Sequence, residues 1–345
     1  MNLEFLQKLL CTASVSGDEV AFQRVVLAEM ENHTHQLYID ANSNVTAVIN
    51  EKADVRVMLD AHADEVGFVV TCANGSGLLH VARAGGANLH CWPGQKVRIL
   101  TENGVIYGAV AMTDACRKES ITAKDILIDI GATSQQEAEK LVHTGDSVVL
   151  DTDYRMLQNN CICSRALDDK AGVFVIMEAL KKAAEKGCTA GVYAVSATGE
   201  ETTKRGAHWA AASIRPDMAI AVDVTFASDA PGHSDGDYGR VKLGGGPVLC
   251  CGSITSKPLR KLIEKAAAAC KIPVQYEVST AATHTDADAI HIKNSGIPVA
   301  LISIPLRYMH TPAEVGSLTD IQQCIDLIAE FLCQLNGPLE LNPFE

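Results

Sequence analysis

The sequence predicts an α/β protein in three layers, a mixed sheet covered by helices on both faces, with a small β-barrel-like domain inserted into it. Two patterns carry this prediction. Over most of the chain, short runs rich in β-branched residues alternate with apolar residues at helical spacing, as in sheets wound by crossover helices. Between about residues 69 and 162 the alternation stops, and short β-type runs separated by Gly-rich turns take over, which is the signature of a barrel or sandwich. The expected division is 1–68 plus 163–345 for the α/β domain and 69–162 for the insertion.

In chain order, residues 2–13 carry a helical apolar pattern. Ser16 with Glu19 three residues on reads as a capping box that opens a second helix through about Glu31. Strands are expected at Gln36–Ile39, Val45–Ile49 and Val55–Asp60. The middle offers strands at Leu78–Ala82, Lys96–Leu100, Val105–Met112 and Ile126–Ile130, with one short helix at Ser134–Val142. After Ala166 the order is helix Asp169–Lys186 stopped by Gly187, strand Gly191–Ala197, helix Lys204–Ser213, strand Asp217–Val222 and helix Pro258–Cys270. Strand Val274–Val278, helix Asp286–Asn294, strand Val299–Ile304 and helix Asp320–Leu335 complete it. No internal repeat is present.

Composition narrows the function. The 345 residues are 47% hydrophobic and 21% charged, which suits a globular protein with a sizeable core. A net charge of −13 disfavours nucleic acid, whose phosphates need clustered Lys and Arg. No apolar run approaches the roughly 20 residues of a membrane span. Met1-Asn2-Leu3-Glu4-Phe5-Leu6 lacks the basic start of a signal peptide, so a cytoplasmic protein is expected. None of the 12 cysteines forms a Cys-x-x-Cys pair, and Cys11, Cys72, Cys188, Cys270 and Cys333 lie in apolar contexts. Cys161 and Cys163 share one strand face but offer only two ligands, so the thiols read as reduced, buried residues.

Ligand-type residues instead gather just past the downstream ends of hydrophobic runs: His62, Asp168, the Glu200-Glu201 pair, Asp223 and His310. In α/β sheets, ligands bind outside the carboxyl ends of strands, so these scattered residues are candidates for one site. Asp64, two residues beyond His62, is placed to hold the imidazole's other nitrogen. Asp168-Asp169 precedes a helix, where Asp serves equally well as an N-cap. Glu200 and Glu201 repel each other unless a cation is near. As neighbours they point in different directions, so one can bind metal while the other acts as general base. Asp223 ends the apolar run Ala219-Ile220-Ala221-Val222, where an unpaired charge is expensive. His310 sits in a turn between Pro305 and Pro312. Together they favour a divalent-metal centre.

His80, His90, His143, His208 and His233 have no partner at ligand spacing, whereas His284, near Asp286 and Asp288, belongs to a loop that can lie over the site. Gly244-Gly245-Gly246-Pro247 lacks the Lys-Ser/Thr of a phosphate loop, and no Gly-x-Ser-x-Gly elbow occurs.

With these segments in place, the chain resembles the tetrahedral (TET) aminopeptidases, the glutamyl and deblocking aminopeptidases of metallopeptidase family forty-two. The matching motifs are His62-Ala63-Asp64-Glu65-Val66-Gly67-Phe68, Arg165-Ala166-Leu167-Asp168-Asp169-Lys170, Gly199-Glu200-Glu201, Ala221-Val222-Asp223-Val224-Thr225 and Arg307-Tyr308-Met309-His310-Thr311-Pro312-Ala313-Glu314-Val315. The resemblance spans nearly the whole chain and implies a zinc-peptidase-like catalytic domain with two divalent ions, zinc or cobalt, with manganese as an alternative. His62, Asp168 and Asp223 would hold one ion; Asp168, Glu201 and His310 would hold the other, with Asp168 bridging. Glu200 matches the general base and Asp64 the residue orienting His62. The Asp168-Asp169 peptide is expected to be cis. The resemblance also implies an enzyme for short peptides whose inserted domain mediates homodimers, either as the final assembly or as the units of a tetrahedral dodecamer.

Two segments depart from the family pattern. Relatives carry Glu-Glu-Val-Gly-Leu-Arg-Gly where this chain has Thr202-Thr203-Lys204-Arg205-Gly206 after Glu201, and Gly-Gly-Thr-Asp where it has Thr283-His284-Thr285-Asp286. Both segments are expected to line the pocket, with His284, Asp286 and Arg307 as substrate contacts. Three other readings share these residues: a deacylase or carboxypeptidase on the same metal core, a glucanase, and a non-catalytic scaffold. Glycosidases need two carboxylates about 5–9.5 Å apart across a sugar, which the adjacent Glu200 and Glu201 fit poorly.

Overall fold

Four nearly continuous apolar runs, Gly191–Ala197, Arg56–His62, Met218–Phe226 and Val299–Arg307, lie side by side as parallel strands. Such strands are buried on both faces and need helical crossovers between them. In this computed structural model, which describes residues 1–345 apart from His35, Pro338, Glu340, Pro343 and Glu345, they form the centre of an 11-stranded mixed sheet. Val45–Ile49 and Gln36–Ile39 extend one side antiparallel. Glu314–Ser317, Cys161–Ser164 and Arg155–Met156 extend the other. Val248–Gly252 pairs antiparallel with Val299–Arg307 and parallel with the edge strand Gln275–Ser279.

The two faces of this sheet are covered unequally. Val57, Leu59, Ile220, Val222, Ile302 and Ile304 pack beneath the helices Leu3–Cys11, Val20–Met30, Leu167–Glu185, Lys257–Cys270 and Leu318–Cys333. Met58, Val195, Ala197, Ala219, Ala221 and Leu301 face the other way, under the Ala-rich helix Arg205–Ile214 and the single turn Ala287–Ile290. Successive strand residues alternate between faces. Asp60, His62, Asp223, Thr225 and Ser303 therefore fall on the thinly covered face, where room remains for a site. Among the described residues, no helix is long and apolar enough to cross a membrane.

Six short antiparallel strands close into a barrel in the order Gly67–Ala73, Leu79–Ala84, Leu127–Asp129, Gly104–Val110, Lys96–Thr101 and Ser147–Leu150. Phe68, Leu79, Val81, Val97, Ile99, Ile128 and Val148 fill it, and Phe68 meets Trp92 edge-on with ring centroids 4.3 Å apart.

Several elements differ from the sequence expectation. The Ser16/Glu19 capping box does not form: Glu19 Oε1 accepts the Gly17 N–H and pairs with Arg205 at 3.1 Å, while Ser16 Oγ lies 2.9 Å from Thr202 Oγ1. The distant guanidinium outcompetes the local cap. His62 and Asp223 are inside their strands rather than past them, because register with Ala197 and with Ser303 carries the ladder that far. The helices expected at Ser134–Val142 and Asp286–Asn294 shrink to Gln135–Ala138 and Ala287–Ile290. All 12 cysteines are free, but Cys11 and Cys72 are exposed. Cys11 lies off the helix face that buries Phe5, Leu6, Leu9 and Leu10, and Cys72 follows a bulge in its strand.

A buried ionic cluster locks the two crossings between barrel and sheet. Glu65 pairs with Arg165 through Oε2, and with Lys170 Nζ at 2.7 Å through Oε1. Oε1 also accepts the Ser14 N–H, and Lys170 donates to the Thr12 carbonyl at 2.6 Å. The N-terminal segment, the strand leaving for the barrel and the chain returning from it are thus held at one carboxylate. Burial alone would raise the Glu65 carboxyl, but Arg165 and Lys170 overcome it and hold it at about 2, below the ordinary 4.5. A depressed carboxylate contributes stability above its unfolded value and loses it on acidification. Glu65→Gln should therefore cost about 3–5 kcal/mol at neutral pH by leaving two buried cations underpaired. In denaturant titrations, the gap between variant and parent should narrow as the pH falls from 4.5 toward 2.

Candidate metal centre

One carboxylate joins two imidazoles. His62 Nε2 lies 3.1 Å from Asp168 Oδ1, and His310 Nε2 lies 3.1 Å from Asp168 Oδ2. Glu201 Oε1 approaches His310 Nε2 at 3.4 Å. Two groups have ligand atoms all within 4.8 Å of one another: His62, Asp168 and Glu201, and His62, Asp169 and Asp223. The five sequence-predicted ligand candidates thus meet at one end of the parallel strands. The Asp168-Asp169 peptide is cis.

Backbone N–H groups fix these side chains through carboxylates. Asp64 was expected to hold His62 through its side chain. His62 Nδ1 lies 3.5 Å from that carboxylate and 3.0 Å from the Asp64 carbonyl oxygen, so the backbone shares the role. The Asp64 carboxylate accepts the N–H groups of Glu200 (3.0 Å) and Glu201 (3.2 Å), so it positions the acidic pair as well as the imidazole. Asp169 accepts the N–H groups of His62 and Gly172. A Cβ on Gly172 would fall 2.2 Å from Asp169 Oδ1, so only glycine fits there. Glu314, assigned no role from sequence, accepts the Asp168 N–H at 3.2 Å and the His310 N–H at 2.8 Å. Its one signal was an acid opening the short strand Glu314–Ser317 within the segment Arg307–Val315 that carries His310. The barrel contributes too: His310 Nδ1 lies 3.2 Å from the Gly86 carbonyl oxygen, which leaves Nε2 directed at Asp168 and Glu201.

The electrostatics favour a cation. Burial pushes the Glu200 carboxyl up to about 7; Glu201 and Asp168 act in the same direction, while His62 and Lys204 oppose it. Burial also drives the Asp223 and Asp169 carboxyls well up. Burial would lower His310, yet Asp168 and Glu201 hold its imidazole up at about 11, and the carboxylates around His62 raise that ring as well. The field that makes these rings retain protons is the field that binds a divalent ion in their place. Two imidazoles among carboxylates is a donor set that suits zinc, cobalt or manganese.

A cavity of about 320 Å³ opens over His62, Asp168, Glu200, Glu201, Asp223 and His310. The two segments that depart from the family pattern meet at its rim. Lys204 Nζ lies 3.2 Å from Glu200 Oε1 and 2.9 Å from Asp288 Oδ2, and donates to the Thr285 carbonyl. His284 lines the cavity. Asp286 is buried behind the site beside the equally buried Asp60, and does not reach the cavity wall. Arg307 turns away to pair with Asp229 at 2.8 Å. The expected substrate contacts thus reduce to His284.

Comparison with known proteins gives a consistent picture. Residues 43–327 match the model of the family described as M42 glutamyl aminopeptidase. The lysyl aminopeptidase of Pyrococcus furiosus is 31% identical, over 99% of this chain and 100% of its own length. A TET aminopeptidase from a marine-sediment thaumarchaeal archaeon superposes with a TM-score of 0.91 at 30% identity, covering 97% of this chain and 96% of that one. The TET1 peptidase of Pyrococcus horikoshii, described as assembling into a tetrahedron or a large octahedral shell, superposes with a TM-score of 0.87 at 28% identity, covering 96% and 99%.

Replacing Glu314 with Gln presents an amide N–H to one of two backbone donors now held by carboxylate oxygens. Glu314→Gln should weaken divalent-ion binding by about tenfold to a hundredfold, the usual cost of losing an orienting partner. Competition with a chromogenic chelator would measure it, and unchanged affinity would remove Glu314 from the centre.

Proposed function

This chain belongs to the M42 glutamyl aminopeptidase family and is a metal-dependent aminopeptidase; from that premise we propose that it removes N-terminal residues from short peptides at a pair of divalent ions. The observation that carries the two-ion reading is Asp168, whose two oxygens each face a different imidazole. His62, Asp168 and Asp223 would hold one ion in this reading, and Asp168, Glu201 and His310 would hold the other. The bound ions supply the positive charge that acidifies a water molecule and polarises the scissile carbonyl.

The chain's own groups do the rest. Glu200, poised near neutrality by burial, takes the proton from the attacking water and delivers it to the leaving amine. Asp64 fixes the backbone of Glu200, and Lys204 restrains its carboxylate from the opposite side. The substrate's free α-amine sits among the carboxylates, which limits cleavage to one residue from the N-terminus. We extend self-assembly from the relatives to this chain, with residues 69–162 as the contact domain. Val105, Tyr107 and Met112, exposed on the barrel, support that choice.

Assays of aminoacyl amides and their N-blocked counterparts with zinc, cobalt and manganese test the reading; turnover of blocked substrates alone would end it. Glu200→Gln should keep its metal and lower kcat by about a hundredfold to ten-thousandfold. Asp168→Ala should lose both ions together, and metal analysis that finds one retained would refute the shared ligand.

A further inference from the structure

One buried acid in the cavity takes no part in the chemistry above. Glu277 lies on the edge strand Gln275–Ser279, where Tyr276 and Val278 face solvent while Glu277 points inward and is only 9% exposed. Its Oε1 accepts the Ser303 hydroxyl at 2.7 Å, and its Oε2 accepts the Thr225 hydroxyl. Among the described residues, no Lys, Arg or His lies within ion-pair distance of it. Desolvation raises its carboxyl, and the two hydroxyls are the only groups opposing that. A desolvated carboxylate with neutral partners is half-compensated, and a cation completes it.

The location says which cation. Ser303 is the register partner of Asp223 on the adjoining strand, and Thr225 lies two residues beyond Asp223 on the same face, about 6.6 Å along the strand. That is the scale of a four-carbon amine side chain. The wall between is apolar, formed by Phe226, Leu301 and Met309, and Glu277 lines the same cavity as His62, Asp168 and Glu200. A substrate with its α-amine at the metal end would lay an aliphatic stem along this wall and bring a terminal cation to Glu277. An acidic side chain would meet repulsion there, and a purely apolar one would seal the carboxylate away from water.

We propose that Glu277 is the specificity residue of this pocket and selects peptides whose N-terminal residue is lysine or arginine. The inference rests on the aminopeptidase reading. An inward charge on an edge strand also discourages pairing with other chains, but that role alone gives no substrate preference.

The test compares kcat/KM of the metal-loaded enzyme on the para-nitroanilides of Lys, Arg, Leu, Ala and Glu. Lys and Arg should exceed Leu by about tenfold or more, with Glu poorest. Glu277→Gln should lower the Lys and Arg values by about tenfold to a hundredfold while leaving Leu unchanged or improved, and Glu277→Asp should restore part of the loss. Leu or Glu preferred by the parent enzyme would overturn the proposal while leaving the aminopeptidase reading intact, as would an equal loss on every substrate in Glu277→Gln. No turnover of any of the five by folded, metal-loaded enzyme would overturn both.

Discussion

More buried negative charge converges on one end of the sheet than the protein itself can neutralise. Asp60, Asp64, Asp168, Asp169, Glu200, Asp223, Asp286 and Glu314 are all buried there. Among the described residues, the cations within ion-pair distance of them are the imidazoles of His62 and His310 and the ammonium of Lys204. Isolated carboxylates in a desolvated setting are among the costliest features a fold can carry. The parallel register that gathers them therefore calls for neutralisation, by protons on the carboxyls and imidazoles or by metal in their place. A metal-dependent family is where such an imbalance belongs.

The acids divide by what answers them. Asp64, Asp169 and Glu314 each accept two backbone N–H groups, so their charge is spent on fixing where other residues stand. Asp168, Glu201 and Asp223 keep oxygens turned toward imidazoles or the cavity. Glu200 keeps an oxygen that, among the described residues, only the Lys204 ammonium approaches. The same sheet face continues past the centre to Glu277, held by two hydroxyls. Chemistry and recognition are thus graded along one surface by the kind of donor each carboxylate is offered.

Much of this was legible in the chain. The four central strands announce themselves as β-branched runs, and Gly191–Ala197 matches its expected limits at both ends. His62, Asp168, Glu201, Asp223 and His310 were legible because each adjoins such a run. What escaped is long-range. The contacts of Glu314 with Asp168, of Asp64 with Glu200 and of Glu277 with Thr225 join residues without shared periodicity, and a carboxylate that accepts backbone N–H groups leaves no pattern in sequence. The strands Ser147–Leu150, Val248–Gly252 and Glu314–Ser317 are too short to show alternation beside Gly-rich flanks. Asp286 and Arg307 looked like pocket residues because their neighbours are; only the fold shows them facing Asp60 and Asp229.

Glu314 has a consequence for biosynthesis. It ties the backbone of Asp168 to that of His310, and it follows Asp168 by 146 residues. A ribosome must therefore extrude the chain through Glu314 before the two imidazoles can flank one carboxylate in this arrangement. Ion capture follows translation, since an unfolded chain has no preformed site. The centre is thus completed only after the barrel and both chain crossings to it have been synthesised.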